Sequence, residues 1–298
     1  MKINYKEIEN LENIVDDISS VIPEGNSEFN TCMAYEFEIA VATNCELSDV
    51  TEDAKMWAAK ECPPELYINH GTYIKDGMDY IVKELKRKPS SNRALFSLMS
   101  QDDISNSEDD PIPSFMIFQT CIKSNTLYCT SYFRALEVST FLRINIEEIR
   151  LKIAEIYQKL PRFNKVKLVI FAFSAYHQSA ISPLKKAKID LMTSIDIYQL
   201  LQTTPCNFYE LLDEKAKDST VIFLQPLLYL QEALNKISEK PEKLNFNLAI
   251  NLLKDVLKTG EQLKKCRTLN SRHDSVDNIN NEFITHLKKL SKEFEKCH

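Results

Sequence analysis

Apolar side chains recur every three or four residues over 3–21, which predicts an amphipathic helix ended by Pro23–Gly25. The stretch after it alternates instead, with Tyr35, Phe37 and Ile39 on one face, as in a half-buried strand. The elements predicted next are a helix over 76–87, a strand over 93–98, a hairpin of 114–122 and 126–134, a helix over about 146–160 and a strand over 166–173. Because that last strand is almost continuously apolar, we expect it to be buried on both faces.

The pattern changes beyond about residue 205, where helical spacing dominates. The segments with this spacing are 208–218, 221–238, 244–259 and 278–298. An acidic loop over 101–110 precedes the predicted hairpin. The chain is therefore predicted to be an α+β protein, with a mixed sheet packed with helices over 1–204 and a helical C-terminal region over 205–298.

Composition narrows the classes of function. Hydrophobic residues make up 44% and charged residues 27%, the balance of a folded globular protein. The net charge of -6 argues against a DNA-binding protein or a binder of anionic membranes, although a local basic pocket for one small phosphate stays compatible with it. The first residues lack an apolar leader, and no run approaches the ~20 apolar residues that span a bilayer, so we expect a cytoplasmic protein.

Metal and cofactor motifs are missing from the sequence. The eight cysteines form no CxxC pair and lie at no zinc-ligand spacing, so reduced and mostly buried thiols are predicted. Only four glycines occur, and Gly-rich phosphate loops are absent. We therefore expect neither a bound metal nor a cofactor.

Three segments in the middle of the chain carry a family pattern. They read LKRKPSSNR, PIPSFMIFQ and LYCTSYFRALEVSTFLRINIEEI. Ser114 lies five residues before Gln119, Arg134 twenty after Ser114, and Asn145 eleven after Arg134. In order and spacing the region resembles thymidylate synthase and its relatives, the pyrimidine hydroxymethylases. The resemblance covers residues 30–204, is specific only in the middle, and implies a thymidylate-synthase-like mixed sheet that dimerises through its face.

The resemblance places Ser114 where the family has its catalytic cysteine. In the family a thiolate adds to the pyrimidine ring, for which a serine hydroxyl is a far weaker nucleophile that needs an adjacent base. Phe115 stands where the family often has a histidine, and no base is evident beside Ser114. An ordinary serine at the start of a strand is the favoured interpretation, which indicates a pseudoenzyme.

The resemblance also implies residues for binding a nucleotide. Arg134 and Arg93 match two of the four arginines that hold the phosphate in the family. Arg93 matches one that binds the nucleotide of the partner subunit. Arginine suits phosphate because its planar guanidinium donates two parallel hydrogen bonds. Both arginines would equally pair with Glu137 or with the acidic loop. Asn145 matches the residue that reads the pyrimidine edge, but it would also serve as the cap of a helix that starts near residue 146.

Few of the family's other functional residues are present in this sequence. Gln119 is kept, whereas the sugar-binding residues survive only out of register as Tyr176 and His177, in a segment that runs on to Gln178. Trp57 is the one residue left from a tryptophan-rich folate region. Losses at the nucleophile, phosphate, sugar and folate positions together indicate a core that keeps its shape without the reaction.

Three hypotheses follow. The chain is a non-catalytic homodimer, acting as a scaffold or as a sensor of a pyrimidine nucleotide, as would suit a subunit of a defence or regulatory system. Alternatively it is an active enzyme on a pyrimidine nucleotide, with Cys121 or Cys129 as a non-standard nucleophile. In the third hypothesis it is a helical adaptor, whose residues 205–298 bind a protein partner while the core only dimerises.

Overall fold

The computed structural model describes residues 3–177, 184–217, 221–237, 244–269 and 274–297. Its strands are β1 (Lys6–Glu7), β2 (Ser27–Glu38), β3 (Leu95–Ser97), β4 (Phe115–Lys123), β5 (Thr126–Phe133), β6 (Leu136–Glu137) and β7 (Lys165–Tyr176). Its helices are α1 (Glu12–Val21), α2 (Ile39–Asn44), α3 (Thr51–Ala58), α4 (His70–Ile74), α5 (Gly77–Arg87), α6 (Gln101–Ser105), α7 (Phe141–Lys159), α8 (Ser194–Thr203), α9 (Phe208–Lys217), α10 (Gln225–Lys236), α11 (Phe246–Leu269) and α12 (Asp274–Glu295). The α+β class is confirmed.

The strands form one mixed sheet in the order β1-β2-β7-β5-β4-β3, with β6 paired to β7. The predicted hairpin is β4 and β5, joined by Ser124 and Asn125, whose φ angles of 51° and 62° give the left-handed turn that suits the twist of a hairpin. Strand β7 runs antiparallel to β2 and parallel to β5, so the long helix α7 serves as the crossover that parallel pairing requires.

The sheet is buried on one face and open on the other. Phe118, Leu127 and Leu168 point into the core and are at most 1% exposed, whereas Phe173 on the opposite face of β7 is 48% exposed. The prediction that residues 166–173 are buried on both faces is therefore wrong. The apolar run suggested burial on both faces, but every second side chain of β7 lies on the open face of the sheet.

Three predicted boundaries moved for local reasons. The helix predicted over 3–21 begins only at Glu12, because residues 6–7 pair with β2 as a short parallel strand. The acidic loop opens with the helical turn α6, whose first turn is closed by a capping box between Ser100 and Asp103. Helix α7 begins at Phe141, five residues earlier than predicted.

Contacts divide the chain into two compact units. Residues 1–106 with 112–183 make the first, and residues 107–111 with 184–298 make the second. The boundary predicted between 204 and 205 falls inside the second unit, because α8 packs against α10 and the other C-terminal helices. The described parts of the predicted C-terminal helices lie in α9 to α12.

One glycine of the first unit is required by close packing. A Cβ built on Gly71 in α4 would lie 2.0 Å from the carbonyl oxygen of Ala59 and 2.4 Å from that of Ala58, at the end of α3. Backbone atoms cannot move aside as a flexible side chain does. The approach of α4 to α3 therefore depends on the missing side chain.

We predict that Gly71→Ala lowers the free energy of unfolding by about 2 kcal/mol or more, because the two helices must separate. Urea denaturation followed by circular dichroism measures this. Gly25→Ala is the control: its Cβ would meet nothing within 4 Å, so only its φ of +78° should cost about 1 kcal/mol. Equal costs for both variants would contradict the packing argument.

Candidate functional site

Most residues of the family pattern meet at one edge of the sheet. Arg134 directly follows β5 and Tyr176 ends β7, and these two strands are parallel. Ser114 directly precedes β4, which is antiparallel to β5. The main-chain N–H of Arg134 donates to the carbonyl of Ser114 at 3.0 Å. Tertiary pairing thus brings together positions that are twenty to sixty residues apart in the chain.

Ser114 lies in this edge without an activating group. Among the described residues, no side chain hydrogen-bonds its hydroxyl. Phe115 beside it is 1% exposed and stacks on Phe133 with ring centroids 4.9 Å apart. A buried aromatic ring therefore occupies the position from which a base would act, and nothing in the geometry ionises the serine.

Arg134 binds the loop in front of Ser114. Its Nε donates to the carbonyl of Pro113 at 3.1 Å and its Nη2 to that of Ile112 at 3.0 Å. The expectation that it pairs with Glu137 or with the acidic loop is wrong, because these main-chain acceptors are closer. Two of its donors are used, which leaves fewer for a phosphate.

Glu137 has a separate structural task. Its Oε1 accepts from the main-chain N–H of Ser139 at 2.6 Å, and its Oε2 accepts from those of Thr140 and Phe141 at 2.8 and 3.0 Å. These are free donors at the start of α7, where a carboxylate also complements the helix dipole. This capping explains why α7 begins at Phe141.

Asn145 lies in the second turn of α7 and is 6% exposed. The alternative in which it caps the helix is wrong, because the helix already runs through it. Its amide is held at a fixed position by a long buried helix, as a residue that reads the edge of a base must be. The hypothesis that it contacts a pyrimidine stays a prediction.

Tyr176 and His177 fix the same edge through their main chains. The carbonyl of Tyr176 accepts from Val138 at 2.9 Å, and the N–H of His177 donates to Asn26 at 3.1 Å. The His177 ring places Nδ1 3.4 Å from the carbonyl oxygen of Ile22. Gln178, the last residue of this predicted segment, lies outside the described residues.

Arg93 and Gln119 lie elsewhere. Gln119 is five residues along β4 from Ser114, or roughly 17 Å at ~3.3 Å per residue. Its Nε2 donates to the carbonyl of Asn92 at 2.7 Å, which ties β4 to the turn that carries Arg93. Within one chain Arg93 therefore does not reach Arg134, and the two would share a ligand only across a dimer.

The cysteines considered as alternative nucleophiles are not activated. Burial raises the pKa of the Cys121 thiol and, more strongly, that of Cys129, which is 2% exposed. A nucleophilic cysteine needs the opposite shift.

Within the described ranges no group of acids, cysteines and histidines could hold a metal ion, and no helix combines the length and apolar character needed to cross a membrane.

A buried charge network lies on the other side of Phe115. His70 Nδ1 is 2.6 Å from Oε2 of Glu148, and Lys152 Nζ is 2.5 Å from its Oε1. The Phe115 ring contacts both partners of Glu148, with its centroid 5.7 Å from that of the His70 ring and 5.6 Å from Lys152 Nζ. Trp57 is part of the same packing, with its ring centroid 4.8 Å from that of His70.

Electrostatics hold the central carboxylate ionised. Burial alone would raise the pKa of Glu148, but the positive charges of His70 and Lys152 outweigh it and lower that pKa to about 2. The side chain is fully buried, so its charge depends on these two partners. The network therefore stabilises the core beside Ser114.

The chain matches no protein-family model and no curated protein sequence. The resemblance to thymidylate synthase therefore depends on the residues themselves. Its support is the spacing of Ser114, Gln119, Arg134 and Asn145.

Sequence reasoning missed the network around Glu148. One signal was present: Glu148 and Lys152 stand four residues apart among apolar residues of the predicted helix, where a solvated ion pair is not expected. Their third partner, His70, precedes Glu148 by 78 residues, and no spacing indicates such a contact.

We predict that Glu148→Gln lowers the free energy of unfolding at pH 7 by about 3 kcal/mol, because His70 and Lys152 lose a buried counter-charge. A carboxylate whose folded pKa is lowered stabilises above its unfolded pKa and loses that contribution as pH falls. The difference between the wild type and Glu148→Gln should therefore shrink as pH falls from about 4.5 to about 2. Urea denaturation at a series of pH values measures it.

The control is Glu155→Gln on the same helix, whose carboxylate meets Lys159 at the surface, 2.8 Å away. It should cost less than about 1 kcal/mol. A difference for Glu148→Gln that stays constant down to pH 2 would contradict a strongly lowered pKa.

Proposed function

We propose that the chain is a non-catalytic protein with a thymidylate-synthase-like core, which forms a homodimer through the open face of its sheet and acts as a scaffold. The open face is defined here by the outward side chains of β2, β7, β5 and β4. The observation that carries the proposal is the aromatic and apolar character of this face in a chain of net charge -6.

The open face is more apolar than a solvated sheet face. Its exposed side chains include Phe29 at 62%, Phe173 at 48%, Ile117 at 37% and Tyr128 at 36%. Tyr132 and Phe171 stack across neighbouring strands with centroids 5.6 Å apart. Large contiguous apolar patches of this kind mark protein interfaces.

A second copy of the chain fits this face by its charge. One end of it carries Lys165 and Lys167 beside Glu36 and Glu38, with Lys167 Nζ 2.9 Å from Glu36. Because these charges are balanced, the patch does not repel its own copy across a two-fold interface. Four strands spaced by ~4.8 Å and about nine residues long present roughly 600 Å² of flat area, near the ~800 Å² per partner of a stable complex.

The absence of catalysis is supported by the site. Ser114 has no base among the described residues, Phe115 fills the neighbouring space, and the two candidate thiols have raised pKa values. An enzyme that uses Cys121 or Cys129 is therefore disfavoured. The scaffold is favoured over the nucleotide sensor because the Arg134 guanidinium already donates to two carbonyls.

We predict that the wild type elutes with a mass of about twice 34.5 kDa in size-exclusion chromatography with light scattering, and that Phe173→Asp and Tyr128→Asp elute as monomers. A buried carboxylate without a partner opposes association. Val21→Asp is the control, since Val21 is 52% exposed on α1 and is not part of the open face. A monomeric wild type at micromolar concentration would contradict the proposal.

We predict that dUMP and dCMP raise the melting temperature of the wild type no more than orthophosphate does at the same concentration. A ligand at a hundred times its dissociation constant adds ~2.7 kcal/mol, which a thermal scan detects easily. A stabilisation by either nucleotide that Arg134→Ala abolishes, with the fold intact by circular dichroism, would replace the scaffold with the sensor. Exchange of the C5 hydrogen of dUMP would replace it with an enzyme.

A further inference from the structure

Two adjacent depressions lie on the helical side of the first unit, outside the site described above. The deeper one has a volume of about 260 Å³ and is lined by residues of α4, α5 and α7, and by the end of α3 with the turn after it. The shallower one, of about 460 Å³, lies along α5. Asp79 and Lys159 line both depressions, which are therefore neighbours.

Lysines dominate the lining of both depressions. The deeper depression has Lys60, Lys75, Lys152 and Lys159 in its wall, and the shallower one adds Lys83 and Lys86. The charged residues opposite them are Asp79 and Glu155. This concentration of positive charge stands out in a chain whose net charge is -6.

The two carboxylates in the wall share a single lysine. Lys159 Nζ is 3.1 Å from Asp79 and 2.8 Å from Glu155, so one lysine serves both acids. Across the described residues, Lys60, Lys75, Lys83 and Lys86 have no carboxylate within ion-pair distance. Mutual repulsion among such lysines is relieved by a bound anion.

Lys152 gives the deeper depression a fixed charge. Its side chain is 5% exposed and Nζ is held by Glu148 at 2.5 Å, so it enters the wall in one position. Glu148 is itself shared with His70 at 2.6 Å. Glu148 therefore balances the charge of Lys152, and the net positive potential of the deeper depression comes from Lys60 and Lys75.

We propose that the paired depressions bind a small molecule that carries two or more phosphate groups. Lys60, Lys75 and Lys152 hold one phosphate in the deeper depression, and Lys83 and Lys86 hold a second. Lysine ammonium groups are compact charges that bind phosphate through several donors. The combined volume is that of a small-molecule site.

The test is isothermal titration calorimetry of the full chain with sodium tripolyphosphate and, separately, with orthophosphate at low ionic strength. Tripolyphosphate should bind at least tenfold more tightly than orthophosphate, because it reaches both depressions. Lys60→Glu/Lys75→Glu should weaken tripolyphosphate binding at least tenfold. Lys83→Glu/Lys86→Glu should weaken tripolyphosphate as well but change orthophosphate binding less than twofold.

The charge-matched control is Lys254→Glu/Lys258→Glu on α11, which should change either affinity less than twofold. An equal loss in this control would overturn the site, because it would show a response to net charge alone. Undetectable binding of tripolyphosphate to the wild type would overturn it too. A single-stranded oligonucleotide that binds more tightly than tripolyphosphate and loses affinity in the same variants would replace the small molecule with a nucleic acid.

Discussion

The first unit depends on the requirement that every charge buried with α7 has a partner. This helix carries Glu147 and Glu148 at 0% exposure. Glu147 accepts from Arg150, from the Thr51 hydroxyl at 3.1 Å and from the main-chain N–H of Leu47 at 3.1 Å, and so fastens the loop before α3 to the helix. Isolated buried carboxylates would cost several kcal/mol each, so the helices around α7 are placed by these acceptors as well as by apolar contact.

The family-like edge of the sheet is a consequence of that placement. Glu137 holds the first turn of α7, and Phe115, the residue after Ser114, packs against the rings of Phe133 and His70. A cavity for a substrate and a tightly packed core are alternative uses of the same volume. At this edge of the sheet, Phe115 belongs to the packed core.

The sequence predicted what depends on local pattern. The hairpin of β4 and β5, the amphipathic helix α5 and the helix α9 lay close to their expected ranges because their periodicity is strong, whereas α11 runs ten residues beyond its predicted end at 259. The start of α7 was predicted five residues too late. Glu137, which caps the helix, precedes it in the chain and is not part of the apolar periodicity. The short helices α3 and α4 were not predicted, and α4 owes its position to Gly71 and the carbonyls of α3.

The candidate site was predicted in its residues but only partly in its contacts. The resemblance put Ser114, Arg134 and Tyr176 in one site, and in the structure they meet because the parallel strands β5 and β7 end at the same edge. The partners of Arg134 were not predictable, since main-chain carbonyls at 112 and 113 carry no sequence signal. The partner of Gln119 was not predictable either, since its side chain donates to the main-chain carbonyl of Asn92.

The five residues 107–111 bear on how the protein is made. They are synthesised early but belong to the second unit, where Asp109 pairs with Arg267 at 2.9 Å. Burial raises the pKa of Asp109, while Arg267 opposes that shift. At about 5–20 residues per second, the ribosome needs roughly 8 to 30 s to travel from this segment to its partner. Through that interval Asp109 lacks this partner, so the second unit is completed only after its C-terminal helices have been synthesised.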